Sequence, residues 1–193
     1  MKQYAIVVDV DRCFGCRGGC QIACKTENNI GLGRSRSSLY TITGGKFPDL
    51  FMYYVPVMCQ QCENPACVNV CPTGACYKDD ADGVIRIDTD VCIGCQSCKK
   101  ACPFKANNFN TEMRVMDKCT ICAQLRDKDE CPVCVSTCAG GALYYGDILD
   151  PESEVSKLLK ENEGHVYQLE DDKGCNPSGR FILRHEVWQD PIK

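Results

Sequence analysis

Sixteen of the 19 cysteines in this chain fall into four quartets, and each quartet closes with Cys-x3-Cys. The runs are Cys13-x2-Cys16-x3-Cys20-x3-Cys24, Cys59-x2-Cys62-x4-Cys67-x3-Cys71, Cys92-x2-Cys95-x2-Cys98-x3-Cys102 and Cys119-x2-Cys122-x11-Cys134-x3-Cys138. Soft thiolates suit iron–sulfur clusters and zinc. Each iron of a [4Fe–4S] cubane takes one external thiolate, so one site needs four cysteines within reach. Sixteen thiolates suffice for four [4Fe–4S] clusters, and the chain reads as an electron wire.

The third quartet, followed by Pro103, matches the bacterial ferredoxin run letter for letter. Zinc ribbons pair two Cys-x2-Cys knuckles across a spacer of roughly 15–20 residues. Three quartets are too compact for that, and only the fourth, with its x11 gap, would pass as a zinc-like site. Cys76, Cys131 and Cys175 are left over. Cys131-Pro132-Val133-Cys134 offers a rival Cys-x2-Cys. Cys134 is the preferred ligand because it keeps the x3 spacing to Cys138, and whether Cys131 replaces it stays open at this point. Cys76 and Cys175 read as small buried hydrophobes. His165 and His185 lie outside every quartet. The sequence contains no nucleophile–base pair, phosphate loop or substrate-pocket motif, so no bond chemistry is expected of this chain.

Hydrophobic residues make up 44% with the cysteines included, and aromatics only 8%. The remaining apolar core is thin for 193 residues, and metal ligation can supply the missing folding energy. A disulfide framework is disfavoured by the odd cysteine count, the recurring Cys-x2-Cys pairs and the lack of a secretory pattern before Cys13. Met1–Val10 is too short and polar for a signal peptide and has no twin arginine. No stretch approaches the roughly 18 apolar residues of a membrane span. The compartment stays open, either cytoplasmic or exported with a partner. Net charge is −4, and four oxidised clusters would take it to about −12. Lys25, Lys99, Lys100, Lys105 and Lys118 adjoin ligand runs; each reads equally as a local counter-charge or an ordinary solvated lysine. An acidic chain without a basic-aromatic patch is not expected to bind nucleic acid.

Elements that position the quartets recur as a unit. Strand-like runs precede them at Tyr4–Val8, Met52–Val55, Val84–Ile87 and Met113–Met116. A short helical stretch carries the last two cysteines, and the pairs Cys20/Cys24, Cys67/Cys71, Cys98/Cys102 and Cys134/Cys138 are i, i+4 neighbours on one helix face. Three cysteines on a loop then hold one cluster while the fourth reaches a second, as in two-cluster ferredoxins. Four quartets are therefore expected to form two reciprocal pairs. Asn28–Leu50, rich in Gly, Ser and Arg, reads as a long surface loop. Glu152–Glu163 is predicted helical, with Asp150 as N-cap, Pro151 at the first position and Gly164 as the stop. Its apolar face is Val155, Leu158 and Leu159. Val166–Leu169 and Phe181–Val187 read as strands around an Asn176-Pro177-Ser178-Gly179 turn, a tail that could dock a partner or act as a lid.

These residues resemble the four-cluster iron–sulfur subunits of DMSO reductase-type molybdopterin oxidoreductases, over about residues 4–147. The markers are Cys13-Phe14-Gly15-Cys16 with Ala23–Asn28, Cys59–Cys67 with Cys71–Ala75, Cys92–Cys95 with Ala101–Phe104, and Lys118–Cys122 with Ala142–Asp147. The resemblance implies four ligand sets: Cys13, Cys16, Cys20 with Cys138; Cys119, Cys122, Cys134 with Cys24; Cys59, Cys62, Cys67 with Cys102; and Cys92, Cys95, Cys98 with Cys71. It also implies a molybdopterin-containing catalytic subunit next to the first set and a membrane quinol-linked subunit at the far end. The expected fold is α+β. Residues 1–50 and 110–150 form an outer ferredoxin-like module, 51–109 an inner one, and 151–193 a C-terminal extension. Two departures from the family pattern stand out: Arg17-Gly18-Gly19 adds a residue before Cys20, and Ala139 replaces a proline after Cys138. A free-standing polyferredoxin, a hydrogenase or formate–hydrogen subunit, and a zinc scaffold are the alternatives.

Overall fold

The computed structural model describes residues 2–193. Ten strands and six helices follow in order: β1 (Tyr4–Asp9), α1 (Gly19–Glu27), β2 (Ser37–Lys46), β3 (Asp49–Met58), α2 (Ala66–Asn69), β4 (Cys76–Lys78), β5 (Ile85–Ile87), α3 (Ser97–Ala101), β6 (Asn108–Asn110), β7 (Val115–Asp117), α4 (Ala123–Arg126), α5 (Val133–Ser136), β8 (Leu143–Asp147), α6 (Glu154–Glu161), β9 (Val166–Tyr167) and β10 (Arg180–Ile182). This mixed content agrees with the expected α+β class. Three antiparallel hairpins, β2–β3, β4–β5 and β6–β7, separate the four cysteine runs.

A four-stranded sheet in the order β8-β1-β10-β9 backs the cysteine loops. β1 lies inside it, antiparallel to β8 from Tyr4↔Asp147 to Val8↔Leu143 and parallel to β10 from Val7↔Arg180 to Asp9↔Ile182. A strand covered on both faces needs no polar alternation, and every residue from Ala5 to Asp9 is buried. Side-chain direction still alternates along it. Val7 and Ile182 pack with Val155 of α6, whereas Ile6, Val8, Leu143 and Phe181 join the main core with the buried cysteines. Leu158 and Leu159 flank the Val155 cluster, as the helix periodicity predicts.

Several local expectations change. Asn28–Leu50 is not a loop throughout, because β2 pairs with β3 over ten residues, from Ser37↔Met58 to Lys46↔Asp49. The Gly44-Gly45 pair that signals a break instead permits the turn: Gly45 has φ +84°, and a Cβ there would lie 2.0 Å from the Asp49 carbonyl oxygen. α6 starts later than predicted. Ser153 caps it by accepting from the Ser156 N–H, while Asp150 accepts from the Glu152 N–H in the preceding turn. The helix gives way at Asn162, before Gly164. The strand expected at Met113–Met116 is β7, which begins at Val115 and leaves Met113 exposed, and the strands expected at Val166–Leu169 and Phe181–Val187 shorten to β9 and β10, ending at Tyr167 and Ile182.

Residues 151–193 supply β9 and β10 to the sheet and then wrap the second cysteine run. The Cys175 and Asn176 carbonyls accept from the Asn64 and Glu63 N–H groups, and the Ser178 and Gly179 N–H groups donate to the Gln60 carbonyl. Trp188 stacks on Tyr167 at 5.3 Å between centroids, and the Tyr53 hydroxyl donates to the Val187 carbonyl. These contacts bind the tail into the body, over the second cysteine run.

Candidate metal centres

Each cysteine run begins with the same backbone device. The residue just before the second cysteine has a left-handed conformation: Gly15 (φ 79°), Gln61 (φ 46°), Gly94 (φ 66°) and Ile121 (φ 52°). This tight turn lets two thiols face one side of the loop. Two runs meet the requirement with glycine, at little steric cost. Ile121 is β-branched, for which this region is a true outlier costing about 1–3 kcal/mol. Such strain persists only where the surroundings impose it, and Ile121 is buried in the core. In the first run the added residue is absorbed by Arg17 (φ 52°) and Gly18 (φ 73°), which bring the chain to α1 at Gly19.

The helices then bring runs together in pairs. α1 packs against α5 and α2 against α3, joining the first run to the fourth and the second to the third. Only Cys20 and Cys24 share one helix; Cys71, Cys102 and Cys138 stand at or just beyond their helix ends. The i, i+4 spacing was expected to keep all four pairs on a helix face, but these three helices are only four or five residues long.

Thiol neighbours follow the helix pairing. Burial pushes Cys20 up to about 11, with Cys16, Cys13 and Cys138 adding to the effect. Burial, with Cys119 and Cys122 adding and Arg36 opposing, takes Cys24 up to about 12. Cys134 is raised by burial and then by Cys119, Cys122 and Cys24. Cys62 is raised by burial and by Cys59, Cys102 and Cys67, with Cys175 also near. Cys71, Cys92, Cys95 and Cys98 line one narrow cleft, together with Cys76. Between the groups, Cys134 feels Cys20, Cys119 feels Cys59, and Cys98 feels Cys67. Among the described residues no three His, Cys, Asp or Glu side chains converge closely enough for one metal ion. Groups made of thiols alone suit an iron–sulfur core, in which each iron takes one external thiolate.

Amide donors already point at these sulfurs. Cys71 Sγ accepts from the Cys76 N–H at 3.3 Å, Cys92 from Met116 at 3.4 Å, Cys119 from Ile121 at 3.4 Å and Cys138 from Ala142 at 3.2 Å. Hydrogen bonds to sulfur favour the thiolate over the thiol.

Residues 50–148 match the family model of the 4Fe-4S dicluster domain. The chain is 37% identical to a sulfite dehydrogenase subunit of Allochromatium vinosum, over 97% of this chain and 85% of that one. It is 37% identical to a putative dimethyl sulfoxide reductase iron-sulfur subunit of Halobacterium salinarum, over 94% and 79%. It is 38% identical to a polysulfide reductase component of Wolinella succinogenes, over 82% and 83%. This protein belongs to the iron–sulfur subunits of DMSO reductase-type molybdenum oxidoreductases. Electron transfer through [4Fe–4S] clusters is the function of such a subunit.

Within this iron–sulfur subunit the spare cysteines separate. Cys131 is raised by burial, with Cys122 its one thiol neighbour and Glu154 nearby, whereas Cys134 faces Cys119, Cys122 and Cys24. Cys76 and Cys175 are buried, as expected. Cys76 is not inert, however: its thiol neighbours the Cys67 sulfur and holds Cys67 below the ordinary thiol range, and its N–H donates to Cys71 Sγ.

One polar residue near the sulfurs was not singled out by the sequence, and a second was left between two readings. Asn28 Nδ2 donates to Cys24 Sγ at 3.6 Å and reaches Cys122 Sγ at 3.9 Å. Its Oδ1 accepts from Arg36 at 2.7 Å, and Arg36 is paired with Asp117, so the amide is oriented with its NH2 toward sulfur. Lys118, read from the sequence either as a local counter-charge or as an ordinary solvated lysine, is 1% exposed. Its Nζ donates to the Ile85 carbonyl at 2.5 Å and the Cys119 carbonyl at 3.2 Å. The other flanking lysines are at the surface, except that Lys25 donates to the Gly31 and Arg34 carbonyls and pins the loop before β2.

Proposed function

We propose that the sixteen cysteines hold four [4Fe–4S] clusters in two modules and that electrons pass along them singly, to or from a molybdopterin catalytic subunit. The sets are Cys13, Cys16, Cys20 and Cys138; Cys24, Cys119, Cys122 and Cys134; Cys59, Cys62, Cys67 and Cys102; and Cys71, Cys92, Cys95 and Cys98. Residues 1–50 with 110–150 carry the first two, and 51–109 the other two. The clusters supply one-electron redox chemistry, and the chain itself makes and breaks no substrate bonds.

One observation carries this reading. Of the nineteen cysteines only Cys16 and Cys95 are exposed, and they belong to the first and last sets of the series linked by Cys20–Cys134, Cys119–Cys59 and Cys67–Cys98. An electron wire needs accessible ends and a buried middle. The backbone donors stabilise negative charge on the ligating sulfurs, and the buried middle thiols exclude water from the inner sites. Phe14 and Ile22 are exposed near Cys16, and Ile93 and Val91 near Cys95, so each end offers an apolar contact surface to a redox partner. The relatives' names, which are those of components of a dehydrogenase and of reductases, support a catalytic partner at one end. No helix among the described residues is long and apolar enough to cross a membrane. Any quinol-linked step would thus fall to a second partner.

Anaerobic purification with native partners tests the reading. About sixteen irons and sixteen acid-labile sulfides per chain, and a copurifying subunit containing molybdenum, are expected. About eight irons would reject the four-cluster assignment, and a full complement with no molybdenum partner would favour a free-standing polyferredoxin.

A further inference from the structure

The geometry points to Lys118 as the shared counter-charge of the two middle sites, raising the potential of both. This rests on the four-cluster reading above. Lys118 precedes Cys119 of the second set, and its Nζ shares the Cys119 carbonyl with Gln61 Nε2, a residue set between Cys59 and Cys62 of the third. Among the described residues no Asp or Glu forms an ion pair with it. Its two hydrogen bonds go to neutral carbonyls, those of Ile85 and Cys119.

A buried ammonium without an anion is strongly disfavoured. The anions at hand are the cluster thiolates on either side, so charge balance pairs Lys118 with both sites at once. Adding an electron makes an anionic cluster more negative, and a fixed cation favours that reduced state. Because Lys118 is buried, mobile ions screen it little. Lys99 and Lys100 differ in this respect, since both lie at the surface, where salt weakens their influence. Lys118 is therefore a positioning charge for electron transfer across the joint between the two modules. It makes the two middle sites easier to reduce than their thiolate content alone would allow.

EPR-monitored redox titration of the intact complex tests this with Lys118→Met and Lys118→Arg. Lys118→Met, similar in length but uncharged, is expected to lower the midpoints of two clusters and leave the other two in place, equally at low and high salt. Lys118→Arg should keep all four near their original values. Full iron in Lys118→Met with unmoved midpoints would overturn the inference while leaving the four-cluster reading intact. Iron short of about sixteen in the unsubstituted protein would instead sink that reading. If Lys118→Met fails to retain iron, cluster loading decides. A counter-charge role predicts that Lys118→Arg loads better than Lys118→Met, and a mere packing role predicts the reverse.

Discussion

Gln61 and Lys118 converge on one acceptor: Gln61 Nε2 and Lys118 Nζ both donate to the Cys119 carbonyl, at 3.1 and 3.2 Å. The same two side chains also saturate Ile85, whose N–H donates to Gln61 Oε1 at 2.9 Å and whose carbonyl accepts from Lys118. The second cysteine run, the β4–β5 hairpin and the fourth run are thereby fastened at a single buried point. Gln61 is fully buried, and its left-handed φ is the turn that aims Cys59 and Cys62. One residue thus shapes a ligand loop and ties it to the neighbouring site. Satisfied buried polar networks of this kind fix geometry because any displacement leaves a desolvated group unpaired.

Serine substitution separates the two candidate cysteines of the fourth run. Cys134→Ser is expected to lose or convert one cluster, removing up to about four irons per chain. Cys131→Ser should retain the full complement. Iron and sulfide analysis with EPR reads the difference, and equal loss in both variants would contradict the assignment.

The Asn28→Ala variant keeps the backbone bond from the residue-28 N–H to the Cys24 carbonyl but removes the amide donor to two sulfurs. Loss of a donor makes the reduced cluster less favourable. A hydrogen bond worth about 0.5–1.5 kcal/mol corresponds to a fall of roughly 20–65 mV in the midpoint of that one site. Potentiometry of the holoprotein measures it, and an upward shift would contradict the arrangement.

Arg184 anchors the segment after β10 to the end of β1. Its guanidinium makes two bonds to the Asp9 carboxylate, at 2.9 and 2.7 Å, and one to Asp11 at 2.8 Å. Removing it leaves the buried Asp9 charge unpaired. Arg184→Met should cost about 2–3 kcal/mol, less than the 3–5 of a wholly buried pair because Arg184 keeps part of its surface in water. Denaturant titration of Arg184→Met with and without Asp9→Asn checks this, and the double variant is expected to recover part of the loss.

Acid should weaken a second network. Burial alone would raise the Asp82 carboxyl, but the Val84 N–H, Arg126 and Arg86 outweigh it and hold it below the ordinary carboxylate range. A depressed folded pKa contributes stability above the unfolded value, near 3.9 for Asp, and that stability is lost as pH falls through the folded value. The melting-temperature gap between the unsubstituted protein and Asp82→Asn is therefore expected to be widest near neutrality and to shrink below about pH 4. A gap that grew on acidification would reverse the assigned sign.

The cysteine runs were legible in the sequence because cluster chemistry dictates residue type and spacing together. The strand at Tyr4–Val8 and the Val155 face of α6 were legible too, since burial leaves a direct mark on composition. Most of what escaped was set by partners far along the chain. β2 read as a loop because Ser37-Ser38 and Gly44-Gly45 at its ends, with Arg34 and Arg36 before it, masked the strand-forming Leu39-Tyr40-Thr41-Ile42-Thr43 between them. Lys118 could not be told from its exposed counterparts by its neighbours in sequence, because only the packing of β5 and the Gln61 loop around it removes water. The integration of residues 151–193 was hidden for the same reason, as parallel pairing between β1 and β10 leaves no local signal.

That parallel pairing has a consequence for biogenesis. β1 leaves the ribosome long before β8 and β10 exist, and Cys13, Cys16 and Cys20 emerge long before Cys138. The inner runs, by contrast, follow one another closely and can gather their thiols while synthesis continues. On the proposed ligand sets, delivery of iron and sulfide should thus proceed from the middle of the polypeptide outward, with the set that joins Cys13, Cys16 and Cys20 to Cys138 completed late.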